Sequence, residues 1–434
     1  MSAADPLAGL VASLPEADGP AMSAILRLLD GAPVGSPNGA RTVSAGESPA
    51  VVRLEHLRYK PGRSVVARVT GGAQPWWLVI RSGRSADKAA KDRARAAETG
   101  FPLIDADVPG YTGLRLQAGP LGLDRNLGKR LRRGELVDAT GAVHGTVLSF
   151  NPWRRLVLRR EIPGRTGPGG EAGPTTVLRL WDSAPASADL LAPLHAAGVA
   201  VLPARRTRAG LEQPWAPGGD LERLLAVAGS RHEAALALER AGEAVAGLHA
   251  ALGRVPGLAE AGLSRVDPAR ALAAARDGVD AVMPDLLPAF DRVGKRVLRA
   301  LAADRGPDVL LHGDLSADQA VLDGRGAVRL IDLDRLAIGP AGCDLGGFAA
   351  VELLLGRGAH AAEALVGAYG RRMGVDGMDE AASNAWTAYH LLLRLAEPFR
   401  ALAPDYREQG AARIERACAV LTGGWGAGEW GADG

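Results

Sequence analysis

Twice in the first half of the chain, alternating apolar and polar positions give way to helical spacing. Leu57-Arg58-Tyr59-Lys60-Pro61-Gly62-Arg63-Ser64-Val65-Val66-Ala67-Arg68-Val69 matches Leu148-Ser149-Phe150-Asn151-Pro152-Trp153-Arg154-Arg155-Leu156-Val157-Leu158-Arg159-Arg160 in its aromatic, its proline, an arginine and its apolar alternation. Each copy reads as strand, proline turn, strand. A third strand follows in both, Trp77-Leu78-Val79-Ile80-Arg81 and Thr176-Val177-Leu178-Arg179-Leu180. A helix ending at Gly100 or Gly198 then closes each copy, and Arg81 and Arg179 each precede that glycine by 19 residues. Equal spacing predicts a duplicated β unit.

The flanks have other patterns. Residues 5–30 carry Leu7, Leu10, Val11 and Leu14, then Ile25, Leu26 and Leu29, the spacing of short amphipathic helices. Residues 31–45 are rich in Gly, Pro and Ser and read as a linker. From Asp220 the chain turns helical over 221–252 and 269–303, β over 309–333, and helical again over 345–421. A Gly-rich tail with Trp425 and Trp430 follows. The implied organisation is helices and linker 1–45, a first copy 46–135, a second copy 136–219, a larger helical unit 220–422 and a tail 423–434.

At 434 residues the chain can bury a large core in two or more lobes. Apolar residues make up 47% and charged residues 23%, an ordinary globular composition. A net charge of +2 argues against a nucleic-acid or anionic-membrane partner. Two cysteines make no disulfide framework. No secretory leader or membrane-spanning run is readable, so a cytoplasmic setting is expected.

The chemistry concentrates near residue 312. Val309-Leu310-Leu311 runs into His312-Gly313-Asp314, and Asp323-Gly324-Arg325-Gly326 marks a hairpin that returns the chain to Ile331-Asp332-Leu333-Asp334. The hairpin should bring Asp332 beside Asp314 and Gln319. His312, Asp314 and Gln319 sit at the His, Asp and Asn offsets of the protein-kinase catalytic loop, and Asp332 falls where the magnesium aspartate belongs.

This segment resembles the aminoglycoside phosphotransferase family of kinase-like enzymes. The resemblance rests on His312-Gly313-Asp314, Gln319 five residues after the aspartate, Ile331-Asp332-Leu333-Asp334 and Gly342-Cys343-Asp344-Leu345-Gly346, with helix Ala241 to Ala250 adding to it. It implies a bilobal α+β kinase-like fold, a small β-rich N-lobe and a large helical C-lobe, here behind an extra N-terminal cap that repeats the N-lobe unit. It implies Asp314 as catalytic base, Asp332 and Gln319 as metal ligands with Asp334 auxiliary, and His312 and Asp344 as braces of the loop. ATP (or GTP) and Mg2+ would be the cofactors, and a hydroxyl of a small molecule, such as an aminoglycoside-like antibiotic, a sugar or another metabolite, the acceptor. Trp215-Ala216-Pro217-Gly218-Gly219-Asp220 falls at the interlobe hinge, so backbone groups at Pro217 and Gly218 would meet the adenine edge.

The small-lobe side departs from the pattern. Arg179 stands where kinases carry a lysine, no Gly-rich loop is present, and Arg154 occupies the turn that would cover phosphates. A pseudokinase that binds nucleotide or a partner without turnover is therefore an alternative. Trp386, Tyr389, His390, Arg394 and Glu397, spaced mostly by three and four, read as one helix face that could line the acceptor site or serve as core. His249 reads as a helix-packing histidine bonded to backbone. Lys60 and the run Arg130-Leu131-Arg132-Arg133 read as solvated.

Overall fold

The computed structural model describes residues 6–16, 19–30, 52–83, 86–161, 174–227, 231–357, 359–374 and 379–423. The expected linker at 31–45, most of the loop between the second and third strands of the second copy, and the tail tryptophans lie outside these residues. The fold is mixed α/β, with mainly antiparallel sheets and a helical C-terminal part. Two compact units form: one from Met1–Ala184, Arg206–Glu212 and Glu397–Arg407, the other from Pro185–Arg205, Gln213–Ala396 and Glu408–Gly434. No described helix is long and apolar enough to cross a membrane.

The first sheet contains β1 (Arg53–Lys60), β2 (Ser64–Thr70), β3 (Trp76–Ser82), β4 (Ile104–Asp107) and β5 (Leu114–Pro120), in the order β1-β2-β3-β5-β4. The second contains β6 (Thr146–Asn151), β7 (Arg155–Glu161), β8 (Thr175–Trp181), β9 (Arg205–Arg206) and β10 (Leu211–Pro214), in the matching order β6-β7-β8-β10-β9. The helices after β3 and β8 both stop at a glycine with positive φ, Gly100 at +71° and Gly198 at +77°. That backbone turn costs little only without a Cβ. The helix after β3 is long, Ala86–Thr99, whereas the one after β8 is the short Leu191–Ala196.

Inside the first unit the two sheets share one core. Val66, Trp77 and Val79 from the first sheet cluster with Phe150, Leu156, Leu158, Leu178 and Leu180 from the second, around Leu127 and Leu131. Trp76 and Trp77 are both buried although consecutive residues face opposite sides of a strand, so β3 is covered on both faces. In the basic run, Arg130 and Arg133 are exposed, as their charges suggest, while the guanidinium groups of Arg130 and Arg132 also bond backbone. Leu131 is wholly buried, Arg130 donates to the Trp181 and Asp182 carbonyls, and Arg132 donates to that of Gly122.

In the second unit, β11 (Ser264–Arg265), β12 (Asp308–Leu311) and β15 (Ala337–Pro340) form a three-stranded sheet, and β13 (Ala320–Leu322) pairs antiparallel with β14 (Val328–Leu330). Asp323 Oδ1 accepts the N–H groups of Arg325 and Ala327, which closes the β13–β14 turn. Helix Gly342–Leu354 lies against helix Glu380–Leu393. Gly342 and Gly346, one turn apart, allow this approach, because a Cβ on either would run into Trp386.

The single helix expected to carry Trp386 through Glu397 does not form. It stops at Leu393, Arg394 caps it, and Glu397 opens a separate four-residue helix in the other unit. Pro398 explains the break: its ring would clash with the Arg394 carbonyl in a continuous helix, and it has no N–H to bond there.

Candidate active site

β12 delivers the chain into His312-Gly313-Asp314, and the β13–β14 hairpin returns it to Asp332. A chain of hydrogen bonds ties these loops. Asp344, buried on helix Gly342–Leu354, accepts the backbone N–H of His312 at 2.6 Å and of Gly313 at 2.9 Å. His312 Nε2 bonds the Ile331 carbonyl at 2.8 Å, and the Ile331 N–H donates to the Gln319 carbonyl at 2.9 Å. Asp314, Gln319 and Asp332 are thereby fixed to one another through main chain. His312 is fully buried and its Nδ1 has no partner.

His249 was not expected in this network. Its Nε2 meets Asp344 Oδ2 at 3.0 Å and its Nδ1 meets the Tyr369 hydroxyl at 3.1 Å, so it bonds side chains rather than backbone. Helix spacing gives a histidine's face but not its partner across the core. Burial raises the Asp344 pKa, but the His249 bond, the nearby His249 and His312 rings and the Gly313 N–H outweigh it and hold the carboxyl below its ordinary range.

Gly313 has φ +81°, and a Cβ there would meet the Arg335 carbonyl oxygen. Gly313→Ala is expected to cost ~2–4 kcal/mol of stability by denaturant unfolding, and to lower kcat ~100-fold by displacing Asp314. A variant with the wild-type midpoint and rate would contradict this account of the loop.

Asp314 is partly exposed and faces two guanidinium groups, Arg335 at 3.4 Å and Arg394 at 3.7 Å. Arg394 was among the sequence candidates. Arg335, three residues past Asp332, was missed, although the returning hairpin could have pointed to it. Asp332 adopts the left-handed conformation at φ 61°, which aspartate tolerates better than most residues and which tends to persist at functional sites. Asp334 is half-buried in the turn that follows. The Gln319 side-chain N–H2 donates to Asp318 at 2.9 Å, which orients its amide. No group of three or more His, Cys, Asp or Glu side chains suited to a metal occurs among the described residues. One carboxylate and one amide oxygen still match magnesium, which takes few protein oxygens and completes its shell with phosphate and water.

At the expected hinge, the backbone N–H groups are accounted for. The Gly218 N–H donates to the Leu322 carbonyl at 3.0 Å, and Pro217 has no N–H. Neither can donate to an adenine edge. Instead this stretch adds to the β13 edge, and Asp220 caps helix Leu221–Ala226 through the Arg223 N–H at 2.8 Å.

Trp386 and Tyr389 are buried, and the Trp386 indole donates to Asp304 at 2.8 Å. His390 is half-buried between Gly347 and Cys343 Sγ, 3.7 Å away; burial and then Arg394 push its pKa down to about 4, so it is neutral at physiological pH. In the first unit, Arg179 is buried in β8 with its guanidinium 5.4 Å from the Trp181 ring centre, and Arg154 lies close enough to Arg58 and Lys60 for its charge to lower their pKa values.

The chain belongs to the APH phosphotransferase enzyme family, which matches residues 152–383, more than half of its length. It is a phosphotransferase with an alcohol group as acceptor. Comparison with curated proteins gives no match. Among solved structures, the chain is similar to a choline/ethanolamine kinase family protein from Mesorhizobium loti, at 19% identity, TM-score 0.46, covering 68% of this chain and 94% of that one. A macrolide 2'-phosphotransferase from Brachybacterium faecium gives 20% identity, TM-score 0.39 and coverages of 68% and 96%. An amicoumacin kinase in complex with AMP-PNP and Ca2+ gives 12%, 0.49, 68% and 92%.

Proposed function

We propose that the protein transfers the γ-phosphoryl group of ATP (or GTP) to a hydroxyl of a neutral or anionic small molecule. The observation that carries this reading is the hydrogen-bonded chain from Asp344 through His312 and Ile331 to Gln319, which holds Asp314 and Asp332 on adjoining loops. Asp314 accepts or orients the acceptor hydroxyl proton. Asp332 and Gln319, with Asp334 beside them, would hold magnesium, whose charge would offset that of the nucleotide phosphates. His312 and Asp344 position the loop. Catalysis is mainly alignment and charge stabilisation.

The two arginines beside Asp314 select the acceptor. A polycationic aminoglycoside would bring its ammonium groups towards Arg335 and Arg394, whereas a sugar or an acidic metabolite would not be repelled. His390, uncharged, can hydrogen-bond such an acceptor without adding charge. Arg179 takes the place of the kinase lysine. The first sheet, with the matching strand order, is read as a cap that duplicates the nucleotide lobe, and the protein as working in the cytoplasm with its two cysteines unpaired.

Purified protein with ATP and magnesium, offered sugars, sugar acids and aminoglycosides, is expected to consume ATP and yield a phosphorylated neutral or acidic alcohol by mass spectrometry. Turnover confined to aminoglycosides would overturn the acceptor class. Failure to bind any nucleotide would overturn the site itself.

A further inference from the structure

The first unit contains a cationic cavity that the phosphotransfer reading leaves unused. Arg58 and Lys60 from β1, Arg63 from the turn, Arg81 from β3, Lys88 from helix Ala86–Thr99 and Arg125 line a space of about 100 Å³. No carboxylate lines it. Of the two nearby acids, Asp92 pairs with the lining Arg81 at 2.6 Å and with Arg95 at 2.9 Å. Asp124 is taken up by the backbone N–H groups of Asn126, Leu127 and Trp153. Among the described residues, Lys60, Arg63, Lys88 and Arg125 have no ion-pair partner.

The wall is built rather than incidental. The Arg58 Nη2 donates to the Pro152 carbonyl at 2.5 Å, while its buried Nε has no partner. Trp153 closes one side in a left-handed conformation, φ 66°, which is unusual for a bulky residue. Asp124 holds its N–H at 2.8 Å and Asn126 its carbonyl at 2.8 Å, and the Arg125 guanidinium stacks 3.7 Å from its ring centre. Arg81 is locked between Gln117 and Asp92. Like charges gathered in this way repel unless an anion offsets them. Burial and the neighbouring arginines lower the pKa values of Arg58, to about 10, and of Lys60.

We propose that this cavity is a second ligand site, which binds the phosphate or diphosphate group of a small phosphorylated molecule. A space of about 100 Å³ holds several water-sized groups at ~10–15 Å³ each, enough for a phosphate or diphosphate and too small for a whole nucleotide. Arginine forks and lysine ammonium groups are the donors that phosphate oxygens favour. The site lies wholly within the first unit and stands independently of the roles given to Asp314 and Asp332.

Calorimetric titration of the full-length protein with pyrophosphate, ribose 5-phosphate and ADP, at physiological salt with a chelator present, tests it. All three are expected to bind saturably, because they share the phosphate group. Lys60→Gln combined with Lys88→Gln changes two exposed side chains without ion pairs, so Tm should hold while affinity for each ligand falls about tenfold or more. Arg125→Gln should weaken binding similarly. Non-saturating heats, or unchanged affinity in the double lysine variant, would overturn the proposal. Binding of ADP alone, without pyrophosphate or ribose 5-phosphate, would overturn it as well, since a nucleotide site would then be the better account.

Discussion

Asp314→Asn should lower kcat by ~10²–10⁴-fold, the range removed when a positioned general base is lost. The fold should tolerate the change. The side chain is partly exposed, and its two arginine partners stand at 3.4 and 3.7 Å, beyond good hydrogen-bond distance. Asparagine keeps the shape but not the charge, so Tm should stay within a few degrees and nucleotide binding should persist. Steady-state kinetics on the acceptor found by the screen, beside a thermal melt, provide the check. A kcat within threefold of wild type would remove Asp314 from the chemistry and leave it as a partner of Arg335 and Arg394.

Asp344→Ala should instead act on stability first. The carboxylate is buried, accepts two backbone N–H groups and meets His249. Its removal leaves those donors unsatisfied in the core, a loss of ~3–5 kcal/mol, or a Tm drop on the order of 10 °C. The pH dependence follows from the depressed pKa. The unfolded carboxyl titrates in the ordinary range and the folded one below it, so the stabilisation is complete above the ordinary range and fades as pH falls through the folded value. Wild type and variant should therefore converge in acid. Denaturant melts at neutral pH and at successively lower pH measure the gap, and a Tm loss under 2 °C at neutral pH would refute the brace.

The hairpin and the loops at Asp314 and Asp332 were legible because their signals are local. Asp323-Gly324-Arg325-Gly326 specifies a hairpin, a hairpin returns the chain, and the residues on either side must then meet. The glycine ends at Gly100 and Gly198 were readable for the same reason: a helix that must turn needs a residue without Cβ. What the sequence withheld depends on contacts across the core. His249 and Asp344 are 95 positions apart, and nothing in either neighbourhood specifies their pairing. Arg394 meets Asp314 from 80 positions away, a contact that neither neighbourhood specifies. That the Gly218 N–H bonds the Leu322 carbonyl is likewise set by a strand about 100 positions away and is not readable from the glycine itself. Lys60 looked solvated in sequence because β1, β3, helix Ala86–Thr99 and the loop at Arg125 gather it with other cations only after folding.

Trp386 has a role at one remove from the chemistry. It fills the space left by Gly342 and Gly346, and Asp344 lies between those glycines on the same helix. The indole therefore works as a spacer that sets how closely the helix carrying Asp344 approaches helix Glu380–Leu393. Changing Trp386 would shift the helix that carries Asp344. The adjustable position is Arg335, whose exposed guanidinium group approaches Asp314.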